Sequence, residues 1–212
     1  MLVHSWDAPL DDAEWRDWLL LHDFGQLIAP GGPERELPVV VPTHFLYDGD
    51  RTVRLHLAKP NPVWKPLAER PRALITVVDD YTYVPSDWGA APGTPPQLGV
   101  PTSYYATVQL SCDVRVVDDW GEKAEILRAQ LRHLEPDGGY LEPDPVHEHY
   151  RRRLPGIRGL VLTVTGVRAK FKYAGNKEPG HRELLAERLG RRDGPADAAA
   201  RKHLLCRHRA VG

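Results

Sequence analysis

The chain has 212 residues, 42% of them hydrophobic, and a formal net charge of −1, which are the proportions of a globular protein with its own hydrophobic core. Proteins that bind nucleic acid mainly through charge are basic, so the near-neutral balance argues against that class. Cys112 and Cys206 lie far apart and have no zinc or redox spacing, which argues against a disulfide framework. With an acidic N-terminal segment and no long apolar run, the sequence predicts a cytoplasmic protein without a membrane segment.

The first half of the chain predicts one helix followed by short strands. Residues 10–22 form the helix, because Asp11 and Asp12 suit a helix N-terminus and tryptophans follow at helical spacing. Strands are predicted over FGQLIA, LPVVVPTHFLY, RTVRLHLAK and RALITVVD. Between the last two, Asn61 and Pro62 are typical of the start of a short helix over 63–69.

The second half begins with a long loop over 85–101, which is rich in proline and glycine and is expected to cover a functional site. A long strand over 102–118 and a helix over 122–134 follow. The apolar stripe of this helix is predicted to comprise Ala124, Ile126, Leu127, Leu131 and Leu134. Two further strands, 159–165 and 167–173, precede a helical and basic C-terminal region.

These elements predict an α+β protein built on an antiparallel barrel of about six strands with flanking helices. We expect a single domain over 1–190 and a basic helical tail over 191–212.

Two histidines occupy alternating positions on predicted strands. Arg54, His56 and Ala58 share one face of their strand, which then leads to Lys59 and the helix that carries Trp64. His44 alternates in the same way on the preceding strand, so both imidazoles are expected at one surface. A polar strand face that leads to a helix N-terminus suits an anion or a cofactor, although a lone histidine is more often structural.

A third histidine pair, His147 and His149, has a spacing that could bind metal on a strand. The surrounding Pro145 and the following arginines favour the start of an exposed helix instead.

Four segments occur in an order and at a spacing that resemble a known family. They are HLAKPNPVW, DDYTYVPSDW, GVPTSYYATV and KFKYAGNK, and the resemblance covers about residues 10–190. The chain is similar to the PaiB-type proteins, whose fold is an FMN-binding split barrel. This resemblance implies a homodimer with cofactor sites at the subunit interface.

Two of the segments depart from the family pattern. Ser103 replaces the family's tryptophan, which opens space, while the lysines at 170, 172 and 177 keep cationic groups that suit a phosphate or a propionate. One branch of the family, the haem-dependent piperazate synthases, binds haem b in place of FMN. The resemblance therefore implies haem b, with FMN as the alternative cofactor.

Within that branch, the resemblance implies cyclisation of N5-hydroxy-L-ornithine, a small amino-acid substrate, to piperazate. His56 is the first choice for the axial ligand of the haem iron and His44 the second. The residues that we expect to bind the cofactor are His44, Arg54, His56, Lys59, Asn61, Trp64, Thr102, Lys170 and Lys172. Tyr83, Ser103 and Tyr105 are the predicted catalytic residues.

Two other functions stay open at this stage. One is an FMN-binding, PaiB-like oxidoreductase or negative transcriptional regulator, supported by the fold alone. The other is a repressor that uses the basic tail RKHLLCRHR to bind DNA, but no helix-turn-helix partner accompanies this tail.

Overall fold

The structure is a computed structural model that describes residues 1–90 and 93–207. Two compact units are present. The barrel unit comprises 16–77 and 109–167, and the terminal unit comprises 1–15, 78–108 and 168–212, of which 91–92 and 208–212 lie outside the described residues.

All seven strands of the sheet lie wholly or partly in the barrel unit. They are β1 (Phe24–Ala29), β2 (Val39–His44), β3 (Leu46–Tyr47), β4 (Thr52–Ala58), β5 (Arg72–Val84), β6 (Thr102–Val117) and β7 (Ile157–Lys172). Their order in the sheet is β2-β1-β5-β6-β7-β4-β3. β1 pairs antiparallel with β2 and β5, and β4 pairs antiparallel with β3 and β7. The predicted α+β class with an antiparallel sheet is confirmed.

The sheet has seven strands where the sequence predicts about six, and the predicted stretch LPVVVPTHFLY divides at Phe45 into two of them. Before Phe45 the chain pairs with β1, and after it the chain pairs with β4, at the opposite end of the strand order. Phe45 is buried, and its N–H donates to the carbonyl of Asp23 at 2.8 Å. One residue thus connects the two ends of the sheet order, which is the connection expected of a split barrel.

A second difference concerns β7. The sequence predicts two strands separated at Gly166, whereas Ile157–Lys172 is one continuous strand. An added Cβ at Gly166 would meet only the Ser111 side chain at 3.9 Å, and the residue does not have a positive φ. This glycine therefore continues the strand rather than forming a turn.

Seven helices accompany the sheet in the described part of the chain. They are α1 (Asp12–Leu20), α2 (Trp64–Glu69), α3 (Ser86–Gly89), α4 (Trp120–Leu134), α5 (Glu148–Arg151), α6 (Pro179–Arg192) and α7 (Asp197–Cys206). Short 3-10 turns occur at Ser5–Asp7, Pro96–Leu98 and Leu154–Gly156. No helix in residues 1–90 and 93–207 combines the length and apolar character that crossing a bilayer requires.

Helix α4 packs on β4 with a face that differs from the predicted stripe. Leu134 is 44% exposed, whereas Lys123 and Gln130 are buried. Lys123 satisfies its ammonium group by donating to the carbonyls of Leu154 at 2.6 Å and Ile157 at 3.3 Å. The predicted stripe is confirmed at Ala124 and Ile126 and was wrong at Leu134, the last residue of the helix. Lys123 and Gln130 were missed because a polar side chain is buried where it has a partner across the fold.

In the terminal unit, helices α6 and α7 pack against each other. Asp197, at the start of α7, is 2% exposed and accepts hydrogen bonds from Thr82 Oγ1 at 2.6 Å and from Arg192 Nε at 2.7 Å. These contacts hold the start of α7, and Arg207 at its end donates to the carbonyl of Ala8 at 2.9 Å. Residues 208–212 of the predicted basic tail lie outside the described residues.

The predicted loop over 85–101 contains α3 and a 3-10 turn and folds back on itself. A Cβ at Gly99 would lie 1.8 Å from the carbonyl oxygen of Ser86, and one at Gly89 would lie 2.5 Å from that of Val100. The two ends of the loop can therefore lie this close to each other only because Gly89 and Gly99 have no side chains.

Candidate functional site

The predicted site residues fall into two groups, one in each unit. In the barrel unit, β4 has the expected alternation: Val53, Leu55 and Leu57 are buried, while Arg54 and His56 are half-buried on the other face.

His56 is held by helix α4. Its Nδ1 lies 2.7 Å from Oε1 of the buried Gln130. Because an amide oxygen can only accept, Nδ1 carries the proton and Nε2 carries the lone pair. Burial lowers the pKa of His56, and the neighbouring His44 lowers it further, while the hydrogen bond to Gln130 opposes both effects. The imidazole is consequently neutral at neutral pH.

His44 lies beside His56, with the two ring centroids 5.8 Å apart in an edge-to-face arrangement. Leu46 pairs with Arg54 in the antiparallel β3–β4 ladder. His44 comes two residues before Leu46 and His56 two residues after Arg54, so the same register brings the two imidazoles side by side. The expectation that both imidazoles share one surface is confirmed. Among the described residues, neither His56 Nε2 nor the His44 ring forms a hydrogen bond.

The other predicted residues of the barrel unit differ in whether their side chains already have a hydrogen-bond partner. Asn61 Oδ1 accepts from the N–H of Val63 at 3.0 Å, just before α2, and Trp64 Nε1 donates to the carbonyl of Ala58 at 3.1 Å. The side chains of Arg54 and Lys59 form no hydrogen bond or ion pair within the described residues and are available to an anionic group.

In the terminal unit, Thr102, Lys170 and Lys172 line a cavity of about 690 Å³. Lys172 Nζ donates to Thr102 Oγ1 at 2.8 Å, and Lys170 Nζ lies 3.5 Å from Oδ2 of the buried Asp7. The loop over 85–101 contributes several lining residues, so it borders a cavity as the sequence predicts.

The three predicted catalytic residues also belong to the terminal unit. Tyr83 is 50% exposed, and Ser103 and Tyr105 are half-buried. The Tyr105 ring lies 5.8 Å from Lys170 Nζ and 6.0 Å from Lys172 Nζ, within the range of a cation–π interaction.

Sequence reasoning missed two residues at these sites. Gln130 interrupts an otherwise apolar helical stripe, and a polar residue there is a signal that a buried partner exists. Tyr104, rather than its neighbour Tyr105, lines the cavity and is 4% exposed. Alternation along β6 places adjacent tyrosines on opposite faces, but the choice of face needs the three-dimensional structure.

The pair His147 and His149 lies at the start of an exposed helix, which is the alternative that the sequence favours. His147 precedes α5 and is exposed, and its Nδ1 accepts from the N–H of His149 at 3.2 Å.

Comparison with protein families gives a match over residues 3–166 to a family described as a "Putative FMN-binding domain". The chain belongs to this FMN-binding family. No protein with a curated description matches the sequence. The resemblance to PaiB-type, FMN-binding split-barrel proteins is confirmed at the level of the family.

Several solved structures share the fold. The flavocytochrome Anf3 from Azotobacter vinelandii has 22% identity and a TM-score of 0.59, and the similarity covers 79% of this chain and 70% of that one. An FAD and haem binding protein from Mycobacterium smegmatis has 16% identity and a TM-score of 0.58, covering 77% and 72%. A conserved hypothetical protein from Mycobacterium tuberculosis has 13% identity and a TM-score of 0.55, covering 81% and 90%. At these identities the comparisons show that the chain shares the fold of these proteins.

Proposed function

We propose that this chain binds haem b through His56 and cyclises N5-hydroxy-L-ornithine to piperazate. The contact between His56 Nδ1 and Gln130 Oε1 is the observation that supports haem. Iron-binding histidines usually donate their second ring N–H to a protein acceptor, which fixes the tautomer and directs the other nitrogen to the metal. A flavin needs no such imidazole, so the contact favours haem over FMN.

Two structures with this fold have names that include haem together with a flavin. One is named a flavocytochrome and the other an FAD and haem binding protein, so haem is compatible with the fold. Arg54 lies on the same face of β4 as His56 and has no side-chain partner among the described residues. It is our candidate to neutralise a haem propionate.

A second copy of the chain completes the proposed site. His56 is only half-buried in this chain, so a macrocycle bound at Nε2 would leave apolar surface in water. A homodimer with the cofactor at its interface removes that cost. Elution at the mass of a dimer, with haem present, supports this arrangement; a haem-loaded monomer contradicts it.

The proposed reaction balances without an external oxidant or reductant. The α-amine nitrogen bonds to N5, the N5–O bond breaks, and the hydroxyl leaves as water with the proton that the amine loses. Bound haem would supply an iron centre that weakens the N–O bond. The reaction class itself comes from the resemblance to piperazate synthases.

The chain's own residues supply proton transfer and orientation in this proposal. Tyr83, Ser103 and Tyr105 are candidates to donate a proton to the leaving hydroxyl or to bind the substrate carboxylate. Holding the substrate curled lowers the barrier because ring closure then costs less conformational entropy.

An absorption spectrum of the purified protein tests the cofactor. An intense haem band that His56→Ala abolishes, and that the exposed control His147→Ala leaves unchanged, supports the assignment. A yellow preparation with flavin fluorescence overturns it in favour of FMN, the alternative that family membership supports. If His44→Ala instead abolishes the band, His44 is the ligand.

The reaction has a separate test. Haem-loaded protein incubated with N5-hydroxy-L-ornithine should release piperazate, detected by mass spectrometry. Failure to form product while haem stays bound would overturn the cyclase assignment alone.

A further inference from the structure

The cavity of about 690 Å³ in the terminal unit has features of a ligand site in its own right. Its volume is in the range of pockets that enclose a small organic molecule. The apolar part of its wall includes Trp6, Val84, Leu98, Val100 and Leu185. This wall suits the hydrocarbon or aromatic body of a ligand rather than a bare inorganic ion.

The charged part of the wall has an excess of positive charge. Lys170, Lys172 and Lys177 line the cavity, and Asp7 is the one carboxylate among the lining residues that the structure describes. Asp7 lies 3.5 Å from Lys170, which leaves two lysines without a carboxylate partner. Within the part of the chain that the structure describes, Thr102 Oγ1 is the one hydrogen-bond acceptor of Lys172 Nζ. An anion is the group that balances this arrangement.

Tyr104 provides an independent indication of a ligand. Its side chain lines the cavity and is 4% exposed, yet its hydroxyl forms no hydrogen bond within residues 1–90 and 93–207. Burial raises the pKa of Tyr104 to about 12, so the hydroxyl keeps its proton and remains a donor. Tyr104 Oη is not among the fully buried polar atoms that lack a partner, so the hydroxyl reaches the open space of the cavity, where it can donate to a bound ligand.

We infer that this cavity binds a small organic anion, with a carboxylate or phosphate group on an aromatic or apolar body. Lys172 Nζ neutralises the anion, the Tyr104 hydroxyl donates a hydrogen bond to it, and the exposed Lys177 lies at the solvent-accessible part of the wall. Thr102, Lys170 and Lys172, which the sequence predicts to bind the cofactor, are assigned to this anion instead, so its binding does not require haem at His56.

Calorimetric titration of the full chain tests the inference with three matched probes: phenylacetate, phenyl phosphate and the neutral benzyl alcohol. At least one anion should bind with a Kd about tenfold or more below that of benzyl alcohol, as expected for a charge-assisted hydrogen bond. The tighter of the two anions identifies the headgroup. Equal affinity for all three probes, or no binding, overturns the inference.

Variants locate the site. Lys172→Met should raise the Kd of the preferred anion about tenfold and Tyr104→Phe several-fold. Lys65→Met, at an exposed lysine paired with Glu34, should leave it unchanged. If Lys172→Met does not fold, the exposed Lys177→Met replaces it. Binding that neither lysine variant weakens contradicts the assignment.

Discussion

His56 Nδ1 donates a hydrogen bond to Gln130 Oε1 over 2.7 Å, and this contact between β4 and α4 determines which ring nitrogen is free. Gln130 Nε2 is itself buried and has no partner among the described residues. In this orientation of the amide its oxygen faces the imidazole. A residue on α4 thus controls the chemistry of a histidine on a strand.

Removing this acceptor should weaken the proposed metal site without removing the ligand. Gln130→Leu is expected to lower haem affinity about 10- to 100-fold, because the imidazole loses the group that orients it. Gln130→Glu, which keeps an acceptor, should retain binding. Haem titration followed by absorption measures both. Arg132→Leu, on the exposed side of the same helix, is the control. Unchanged affinity in Gln130→Leu would show that the contact is only structural.

The N-terminal segment forms part of the wall of the anion cavity, and Gly175 allows its close approach. A Cβ at Gly175 would lie 2.0 Å from the Trp6 carbonyl oxygen. Gly175→Ala should therefore displace Trp6, lower the free energy of unfolding by about 1–3 kcal/mol and weaken binding of the preferred anion.

Gly180 is the matched control, because no atom lies within 4 Å of a Cβ built there. Gly180→Ala, within α6, should leave stability equal or raise it by up to about 1 kcal/mol. Chemical denaturation of both variants measures the difference. Equal stability of the two alanine variants would mean that residues 4–7 can shift without cost.

Asp197 should make stability depend on pH. The hydrogen bond from Arg192, assisted by those from Thr82 and the Gly194 N–H, holds the pKa of Asp197 well below its usual range. In the unfolded chain the Asp197 carboxyl binds its proton near pH 4, whereas in the folded chain it stays ionised at lower pH. The contribution of this carboxylate to the free energy of unfolding is therefore present above about pH 4 and is lost as the pH falls below it.

Asp197→Asn should accordingly lower the free energy of unfolding by about 2 kcal/mol at pH 7 and by less at pH 3. Urea denaturation at both pH values measures the two differences. Glu187→Gln, at an exposed pair with Arg191, should change stability by no more than about 0.5 kcal/mol. A deficit for Asp197→Asn that does not shrink at pH 3 contradicts the assignment.

The two cysteines should differ in reactivity. Cys112 is 2% exposed and burial raises the pKa of its thiol to about 12, whereas Cys206 is half-buried. A thiol reagent should therefore label Cys206 in the folded protein and reach Cys112 only on unfolding. Cys206→Ser should abolish the reaction of the folded protein. Rapid labelling of that variant before unfolding would disprove the expectation.

Most of the fold could be predicted from sequence because short-range patterns determine it. Alternation on β4, the helix start near Asn61 and the helical spacing of α4 all correspond to observed elements. The division of the stretch LPVVVPTHFLY into β2 and β3 at Phe45 could not be predicted, because the residues on both sides of Phe45 have the same strand propensity. The two strands differ only in the distant strand with which each one pairs. The continuity of β7 through Gly166 depends on its neighbours in the same way.

The candidate site was predictable only in part. The proximity of His44 and His56 followed from alternation, since each lies on the correct face of its strand. Gln130 and Tyr104 could not be assigned, because their importance depends on which group each one meets across the fold. Periodicity specifies a face, but it does not specify the partner on the opposing element.

Phe45 also has a consequence for how the barrel forms. The two strands at the ends of the sheet order, β2 and β3, are separated in sequence by Phe45 alone. Bringing them together therefore requires closure of almost no loop and costs little chain entropy. The pairing of β4 with β7, where Thr52 meets Thr163, instead requires a closure over about half the chain. Pairing of β4 with β7 should therefore be the slower part of barrel formation, because the long loop must close before its contacts stabilise the chain.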